Sequence, residues 1–64
     1  MLEALKGQFW TREEELIEDV EVEGFEVVDI DYEHLIVVDE NDVEHVFNLV
    51  RSGMSFAIGD EVIR

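Results

Sequence analysis

The sequence predicts an α+β fold in which one or two short N-terminal helices pack on a small antiparallel meander of four to five strands. Apolar residues recur first at helical spacing and then in alternation with acidic residues, and the segments between the predicted elements are short. Leu, Ile, Val and Phe supply 24 of the 64 residues, well above the content of disordered chains. A chain of this length forms one domain, residues 1–64, and buries only roughly 60% of its unfolded surface.

The first helical segment is predicted from Leu2, Leu5 and Phe9, which fall at positions i, i+3 and i+7. This spacing places the three side chains on one face, despite Gly7 between them. We therefore expect Phe9 to be a core residue, with Trp10 beside it either in the core or at an interface.

A second helix is predicted from about residue 12 to residue 17, and as far as Val20. Thr11 and Glu14 fit a capping box, in which each side chain satisfies a free amide of the first turn. Three consecutive glutamates also suit the positive end of a helix. Leu16, Ile17 and Val20 are expected to form its buried side.

From Glu18 onward the apolar period changes to two, which is typical of a strand with one wet face. Glu21, Glu23 and Glu26 then project as a row from one face of the sheet. Gly24 interrupts the alternation, and the later apolar residues are out of phase with the earlier ones. The pattern predicts a bulge or a bend at this point.

A hairpin over residues 34–50 is the next prediction: a strand at 34–38 buried on both faces, a turn at 39–42 and a strand at 43–50. Residues 51–53 form a connection, and residues 55–58 and 61–63 form short final strands. The strand cadence of residues 24–49 and 56–62 resembles small barrels of the SH3-like or Sm-like sort. The resemblance implies a half-open barrel as the alternative to a curled sheet, and it carries no binding residues.

Charge narrows the class of partner more than any motif does. The chain has 18 acidic and 4 basic residues, a net charge of −14 and a pI of about 4.1. Such a surface is repelled by phosphates and anionic lipid, so we expect no direct nucleic-acid or membrane binding. The sequence has no apolar run of membrane-spanning length, no signal-peptide pattern and no cysteine, so a cytoplasmic location is the default.

Neither catalysis nor metal binding is predicted, and no cofactor is expected. Acidic pairs are too frequent to single out a general acid or base, and no nucleophile or phosphate-binding motif is present. Acidic residues over 29–40 partly match a calcium loop, but His34 occupies the position that needs glycine. His34 and His45 could also hold zinc across the hairpin together with a carboxylate, but two histidines without a third placed ligand are weak evidence for such a site.

The distribution of acids leads to the main functional hypothesis. Residues 13–31 contain ten acids and no base, and these ten are the expected partner-binding residues: Glu13, Glu14, Glu15, Glu18, Asp19, Glu21, Glu23, Glu26, Asp29 and Asp31. In size and composition the chain resembles the DNA-mimic inhibitors of bacteriophages. That resemblance implies a non-enzymatic protein that occludes the site of a basic nucleic-acid-binding protein, such as a nucleoid protein, RNA polymerase, nuclease or repair enzyme, in the host cytoplasm.

Three further possibilities stay open at this point. The chain could be a small β-barrel adaptor that binds a partner through the hairpin and through exposed Trp10 or Phe56, with acidity serving solubility or salt adaptation. It could be a calcium-responsive acidic module. A homodimer is also expected to suit a small sheet, because it would cover edge strands and double the charged surface.

Overall fold

The computed structural model describes residues 2–62. A short 3₁₀ helix comes first, followed by one α-helix and four strands. Their bounds are Leu2–Leu5 for the 3₁₀ helix, Glu13–Val22 for α1, Glu26–Ile30 for β1, His34–Val38 for β2, Glu44–Ser52 for β3 and Ser55–Glu61 for β4.

The four strands form one antiparallel sheet in the order β1-β2-β3-β4, so the meander is confirmed. The predicted hairpin is also confirmed: β2 pairs with β3, with Ile36 opposite Val46. Within residues 2–62 the sheet is open, because β1 and β4 are its two edges. The molecule is therefore a small α+β fold with one α-helix, and the first predicted helix is only a 3₁₀ turn.

Helix α1 is longer than predicted and replaces the strand expected from Glu18. Leu16 and Val20 lie one turn apart and are fully buried, so they hold this face of the helix on the core. The predicted capping box is wrong: Arg12 is the N-cap residue, and its side chain makes no capping hydrogen bond.

Gly24 ends the helix and does not form a bulge in a strand. Its φ of +95° is the left-handed conformation that glycine adopts readily. The amide of Gly24 donates to the carbonyl of Glu21, and the amide of Phe25 donates to the carbonyl of Val20. These two bonds are those of a Schellman motif, so the glycine fixes where α1 turns into β1.

The core lies between one face of the sheet and the helical segments. Leu35 and Val37 of β2 are fully buried there, whereas Ile36 between them is only half-buried on the other face. The prediction that this strand is buried on both faces is therefore wrong, because α1 and the 3₁₀ helix cover one side only. The core cluster comprises Leu2, Leu5, Trp10, Leu16, Val20, Leu35, Val37, Phe47, Leu49, Phe56 and Ile58.

The strand bulge predicted at Gly24 is wrong, and the irregularity of the first strand lies at Val28. The register of β1 on β2 shifts between Val27 and Asp29, which leaves Val28 as the extra residue. A second shift occurs between Phe47 and Leu49 of β3, opposite Gly59. One strand, Ser55–Glu61, replaces the two short final strands that the sequence suggested, and residue 63 lies outside the described residues.

Trp10 and Phe9 have opposite environments. Trp10 is buried, and its backbone exchanges two 2.8 Å hydrogen bonds with Phe56 of β4. Phe9 is 61% exposed, so its predicted place in the core is wrong. Gly7 follows the end of the 3₁₀ helix, and its φ of +84° lies outside the helical region. Phe9 therefore does not continue the helical face of Leu2 and Leu5.

Candidate functional site

The exposed side of α1 carries a row of three carboxylates, which we call the helix acidic face: Glu14, Glu18 and Glu21. These residues are spaced by four and three positions, so they lie on one side of the helix, opposite Leu16 and Val20. All three are exposed. The row spans about 10 Å at the ~1.5 Å rise of an α-helix.

The row that the sequence suggested on the sheet is wrong. Glu21 belongs to α1 and Glu23 is its C-cap residue, so only Glu26 of the three lies on a strand. The helical period prevails over the alternation: Val20 lies on the inner face of α1 and is fully buried, whereas Val22 is 78% exposed.

The other predicted partner-binding residues are distributed around this face. Glu13 and Glu15 lie in the first turn of α1, where the helix dipole favours negative charge. Asp29 lies in β1 and Asp31 directly follows it, at the opposite end of that strand from Glu26. The structure therefore does not gather all ten carboxylates on one surface.

Several of the ten carboxylates already have partners within the chain. Asp19 accepts a 2.8 Å hydrogen bond from the Trp10 indole, and Glu14 forms a 2.7 Å ion pair with Arg12. Asp31 accepts two 2.8 Å hydrogen bonds from the amides of Glu33 and His34, which lower the pKa of its carboxyl group. Asp19 and Asp31 are thus engaged in holding the fold.

An acidic cleft lies beside the helix acidic face, between the end of α1 and the β2–β3 turn. Its volume is about 430 Å³. Carboxylates line its walls, and Phe25 and Val38 contribute apolar surface. The lining residues are Glu21, Gly24, Phe25, Glu26, Val38, Asp39, Glu40 and Asp42.

Three of these acids, Asp39, Glu40 and Asp42, were not among the predicted partner-binding residues. Residues 39–42 consist of acids and one asparagine, a composition that by itself predicts only a turn. The hairpin itself contained the missing signal, because a turn at the end of β2 lies next to the start of β1 in an antiparallel pair. Glu26 and Val38 are in fact opposite each other.

His45 links this turn to the last strand. Its Nε2 atom lies 3.0 Å from Oδ2 of Asp39, and its Nδ1 atom lies 3.1 Å from Oε2 of Glu61. The hydrogen bond to Asp39, followed by that to Glu61, raises the pKa of His45 against the opposing effect of burial. The bond from His45, with the amide of Val43 next, in turn lowers the pKa of Asp39.

Two of the three basic side chains in residues 2–62 have partners within the chain. Arg12 is paired with Glu14. The guanidinium carbon of Arg51 lies 4.3 Å from the ring centre of Tyr32 and 5.0 Å from that of Phe56, and Nε donates to the Tyr32 carbonyl. This cation is therefore held between two rings and a backbone carbonyl.

The metal alternatives do not match the geometry. His34 lies opposite Asn48 and His45 lies opposite Val37, so the two imidazoles are on different faces of the hairpin. Most of residues 29–40 lies in β1 and β2, where a calcium loop would have to be irregular. Over residues 2–62, no group of three or more His, Asp or Glu side chains could hold a metal ion.

Two residues that the adaptor alternative relied on are buried. Trp10 and Phe56 have relative exposures of 5% and 2%, so neither presents its ring to a partner. In the part of the chain that the structure describes, no helix is long and apolar enough to cross a membrane.

Fold and surface together define a small α+β protein with a strongly acidic helix face and an adjoining acidic cleft. Comparison with protein-family models, with curated proteins and with solved structures found no match to this chain.

Proposed function

We propose that this protein is a non-enzymatic inhibitor that presents carboxylates in place of DNA phosphates and occludes the site of a basic nucleic-acid-binding protein. The observation that carries the proposal is the helix acidic face, Glu14, Glu18 and Glu21, together with the acidic cleft at its end. The bacteriophage origin and the host cytoplasm suggested by the sequence belong to the same proposal.

The density of charge supports the comparison with DNA. Residues 2–62 contain all 18 acids and three bases, a net charge of −15 over a longest dimension of 34 Å. Duplex DNA of that length carries about 20 negative charges, at one per ~1.7 Å. The protein therefore approaches the charge density of a duplex while presenting no bases.

The placement of Glu18 and Glu21 on α1 does not serve the helix itself, whereas Glu14 lies in the first turn, where the helix dipole favours negative charge. Like charges at i, i+3 and i+4 each destabilise a helix by about 0.2–0.5 kcal/mol. Glu21 also lies in the last turn, where the helix dipole disfavours negative charge, and that turn contains no basic residue. Because the positions of Glu18 and Glu21 oppose stability, their acidity is better explained by recognition of a cationic partner.

Inhibition would work by competitive occlusion. The negative field would accelerate encounter with a basic surface, and the carboxylates would then occupy positions that DNA phosphates otherwise fill. Salt would weaken such binding, since the exposed charges are screened over about 10 Å at 0.1 M ionic strength.

The experiment compares three forms of the protein: wild type, a helix-face variant (E14Q, E18Q and E21Q) and a control variant (E3Q, E33Q and D60N). Both variants remove three negative charges, and the control positions are exposed and lie outside α1. Each form is immobilised and incubated with nuclease-treated bacterial lysate, and captured proteins are eluted with salt or with duplex DNA. Circular dichroism verifies that each variant is folded.

The proposal expects a basic DNA-binding protein that is released by duplex DNA, retained by the control and lost by the helix-face variant. The purified partner should release a bound fluorescent duplex when this protein is added, and the anisotropy of the duplex should fall. Binding that resists salt and duplex, or that is equal for both variants, would contradict the proposal.

Two finer structural predictions accompany this function. The bulges in β1 and β4 support a curled sheet that approaches a half-open barrel of the SH3-like or Sm-like sort. A homodimer would extend the acidic surface, and light scattering at low and high salt tests it, because repulsion between copies should weaken association at low salt.

A further inference from the structure

His45 is the one imidazole whose two ring nitrogens both face carboxylates within the described residues. Nε2 lies 3.0 Å from Asp39 and Nδ1 lies 3.1 Å from Glu61. A neutral imidazole has one N–H, and an ionised carboxylate only accepts hydrogen bonds. Both contacts are therefore favourable hydrogen bonds only when His45 is protonated on both nitrogens.

We infer that His45 is a proton-operated clasp that fastens the end of β4 to the β2–β3 turn when the ring is charged, and releases the end of β4 when the ring is neutral. The inference goes beyond the proposed function, because it concerns regulation of the fold and requires no partner.

The two carboxylates are not equivalent, and this difference decides which contact is lost. The other carboxylate oxygen of Asp39 accepts hydrogen bonds of 2.8 Å and 3.1 Å from the amides of Asn41 and Val43. Asp39 is thus held in place by its own turn. Glu61 is held by the His45 contact alone among the side-chain hydrogen bonds of residues 2–62.

A neutral ring would accordingly keep its Nε2–H directed at Asp39. The lone pair on Nδ1 would then face the negative Glu61 oxygen, so the attraction becomes a repulsion. Glu61 lies opposite Phe47, and the next residue, Val62, donates a 2.7 Å hydrogen bond to the carbonyl of Val46. Release of Glu61 is expected to loosen this last backbone bond.

The groups around His45 leave the protonation state of the ring to decide whether both of its contacts are attractive. The charged groups that face the ring are Asp39 from the turn after β2 and Glu61 from β4. Phe25, from the connection before β1, meets the ring edge-on at 6.1 Å, and Phe47 of the same strand stacks at 6.5 Å. From β2, the residue opposite His45 is the uncharged Val37. The side chain is only 12% exposed, so water cannot readily replace a lost partner.

Nuclear magnetic resonance tests the clasp directly. Ring ¹⁵N shifts report protonation of each nitrogen, and the protection factor of the Val62 amide against hydrogen exchange reports the end of β4. Wild type is compared with E61Q, and with E40Q as the matched control, since Glu40 is an exposed acid in the turn beside Asp39. His34 gives a second imidazole signal in every spectrum.

The clasp predicts that both His45 nitrogens are protonated in the folded protein below a midpoint higher than the ordinary 6.5 of histidine. Above that midpoint the Val62 protection factor should fall about tenfold or more, consistent with loss of a hydrogen bond to a charged group. The protection factor of Val43 in the turn should not change. In E61Q the His45 midpoint should drop, and Val62 protection should no longer fall across it, because the Gln amide can accept from the charged ring and donate to the neutral one. E40Q should behave as wild type.

Three results would overturn the inference. A singly protonated His45 ring at acidic pH would remove the clasp itself. A His45 midpoint that is the same in wild type and E61Q would show that Glu61 does not hold the proton. If the protection factor of Val62 does not change across the wild-type midpoint, the contacts of His45 form an ion pair without a conformational role. This readout uses wild type alone, so it remains decisive even if a variant fails to fold.

Discussion

The indole nitrogen of Trp10 donates a 2.8 Å hydrogen bond to Oδ2 of Asp19, and this bond joins the segment before α1 to the middle of the helix. Trp10 is buried and also pairs with Phe56 through two backbone hydrogen bonds. Asp19 therefore positions the residue that connects the N-terminal segment, the helix and β4. Asp19 therefore has a structural role in addition to its predicted role in partner binding.

Replacing Asp19 by alanine should destabilise the fold by about 1–3 kcal/mol, because the buried indole N–H would lose its acceptor. Asp19→Asn should cost less, since the amide oxygen can still accept the bond. Asp19→Asn is also the matched control, because it removes the same charge as Asp19→Ala and keeps an acceptor. Urea denaturation followed by fluorescence measures the effect, and Trp10 is the only tryptophan. Equal midpoints for Asp19→Ala and Asp19→Asn would show that the bond does not contribute.

Gly59 should not tolerate a side chain. A Cβ atom at this position would lie 3.0 Å from Cγ2 of Val50 and 3.1 Å from the backbone oxygen of Asn48. We expect Gly59→Ala to destabilise the protein by about 1–3 kcal/mol, as overpacking typically does. The measurement is the urea midpoint.

The double variant Gly59→Ala/Val50→Ala separates the two contacts. It should recover only part of the loss, because the backbone contact with Asn48 remains. Val50 is 53% exposed, so Val50→Ala alone should cost little. Full recovery would assign the strain to the side chain, and no loss in Gly59→Ala would contradict the close approach.

Local patterns predicted the fold where short-range and tertiary preferences agree. The hairpin of β2 and β3 has β-branched strands around an acidic turn, and both preferences favour it. At residues 18–23 they disagree: alternation favours a strand, whereas Leu16 and Val20 favour a helix, and the resulting buried face decided the outcome. Gly24 fits either interpretation locally. Only the Schellman bonds to Glu21 and Val20 identify it as a helix end.

The candidate surface was less predictable, because it combines distant segments. Counting acids located the stretch 13–31 but could not show that Asp19 is occupied by Trp10. The cleft joins Glu21 and Glu26 to Asp39, which is brought there by the pairing of β1 with β2. The sequence offers His34 and His45 as a pair of candidate zinc ligands, whereas the partners of His45 in the structure are Asp39 and Glu61.

Asp31 should stabilise the fold at neutral pH and lose this effect in acid. Its carboxylate accepts bonds from the amides of Glu33 and then His34, so its pKa is lower in the folded protein than the ordinary 3.8. A lowered pKa contributes stability that is present above 3.8 and disappears as pH falls through the folded value. The stability difference between wild type and Asp31→Ala should therefore be largest at neutral pH and shrink below 3.8.

The difference between the two proteins is the proper readout, because acid also relieves repulsion among the other carboxylates. Glu33→Ala is the control, since its exposed side chain accepts none of these bonds. Urea midpoints measured from neutral to acidic pH give the comparison. A constant difference across this range would mean that the carboxylate charge of Asp31 does not matter.

His45 should give the opposite pH dependence. Its pKa is raised, first by the bond to Asp39 and then by that to Glu61. A raised pKa contributes stability that is complete below 6.5 and is lost as pH rises through the folded value. Wild type should therefore lose its advantage over His45→Gln on the alkaline side, as seen in urea midpoints. His34→Gln is the control, and an advantage that grows with pH would contradict the sign.

The repulsion on α1 yields the most direct test of whether the acidic face opposes the fold. Glu18 has like-charged neighbours at Glu14, Glu15 and Glu21, so Glu18→Gln removes three unfavourable pairs of about 0.2–0.5 kcal/mol each. We expect this variant to be more stable than wild type by about 0.6–1.5 kcal/mol at low salt. The gain should largely vanish near 1 M NaCl, where screening acts over about 3 Å. Glu33→Gln changes the net charge equally but lies off the helix, so it should gain less. A gain that is equal in both variants would assign the repulsion to the net charge of the whole protein, and a gain that persists in high salt would show that it is not electrostatic.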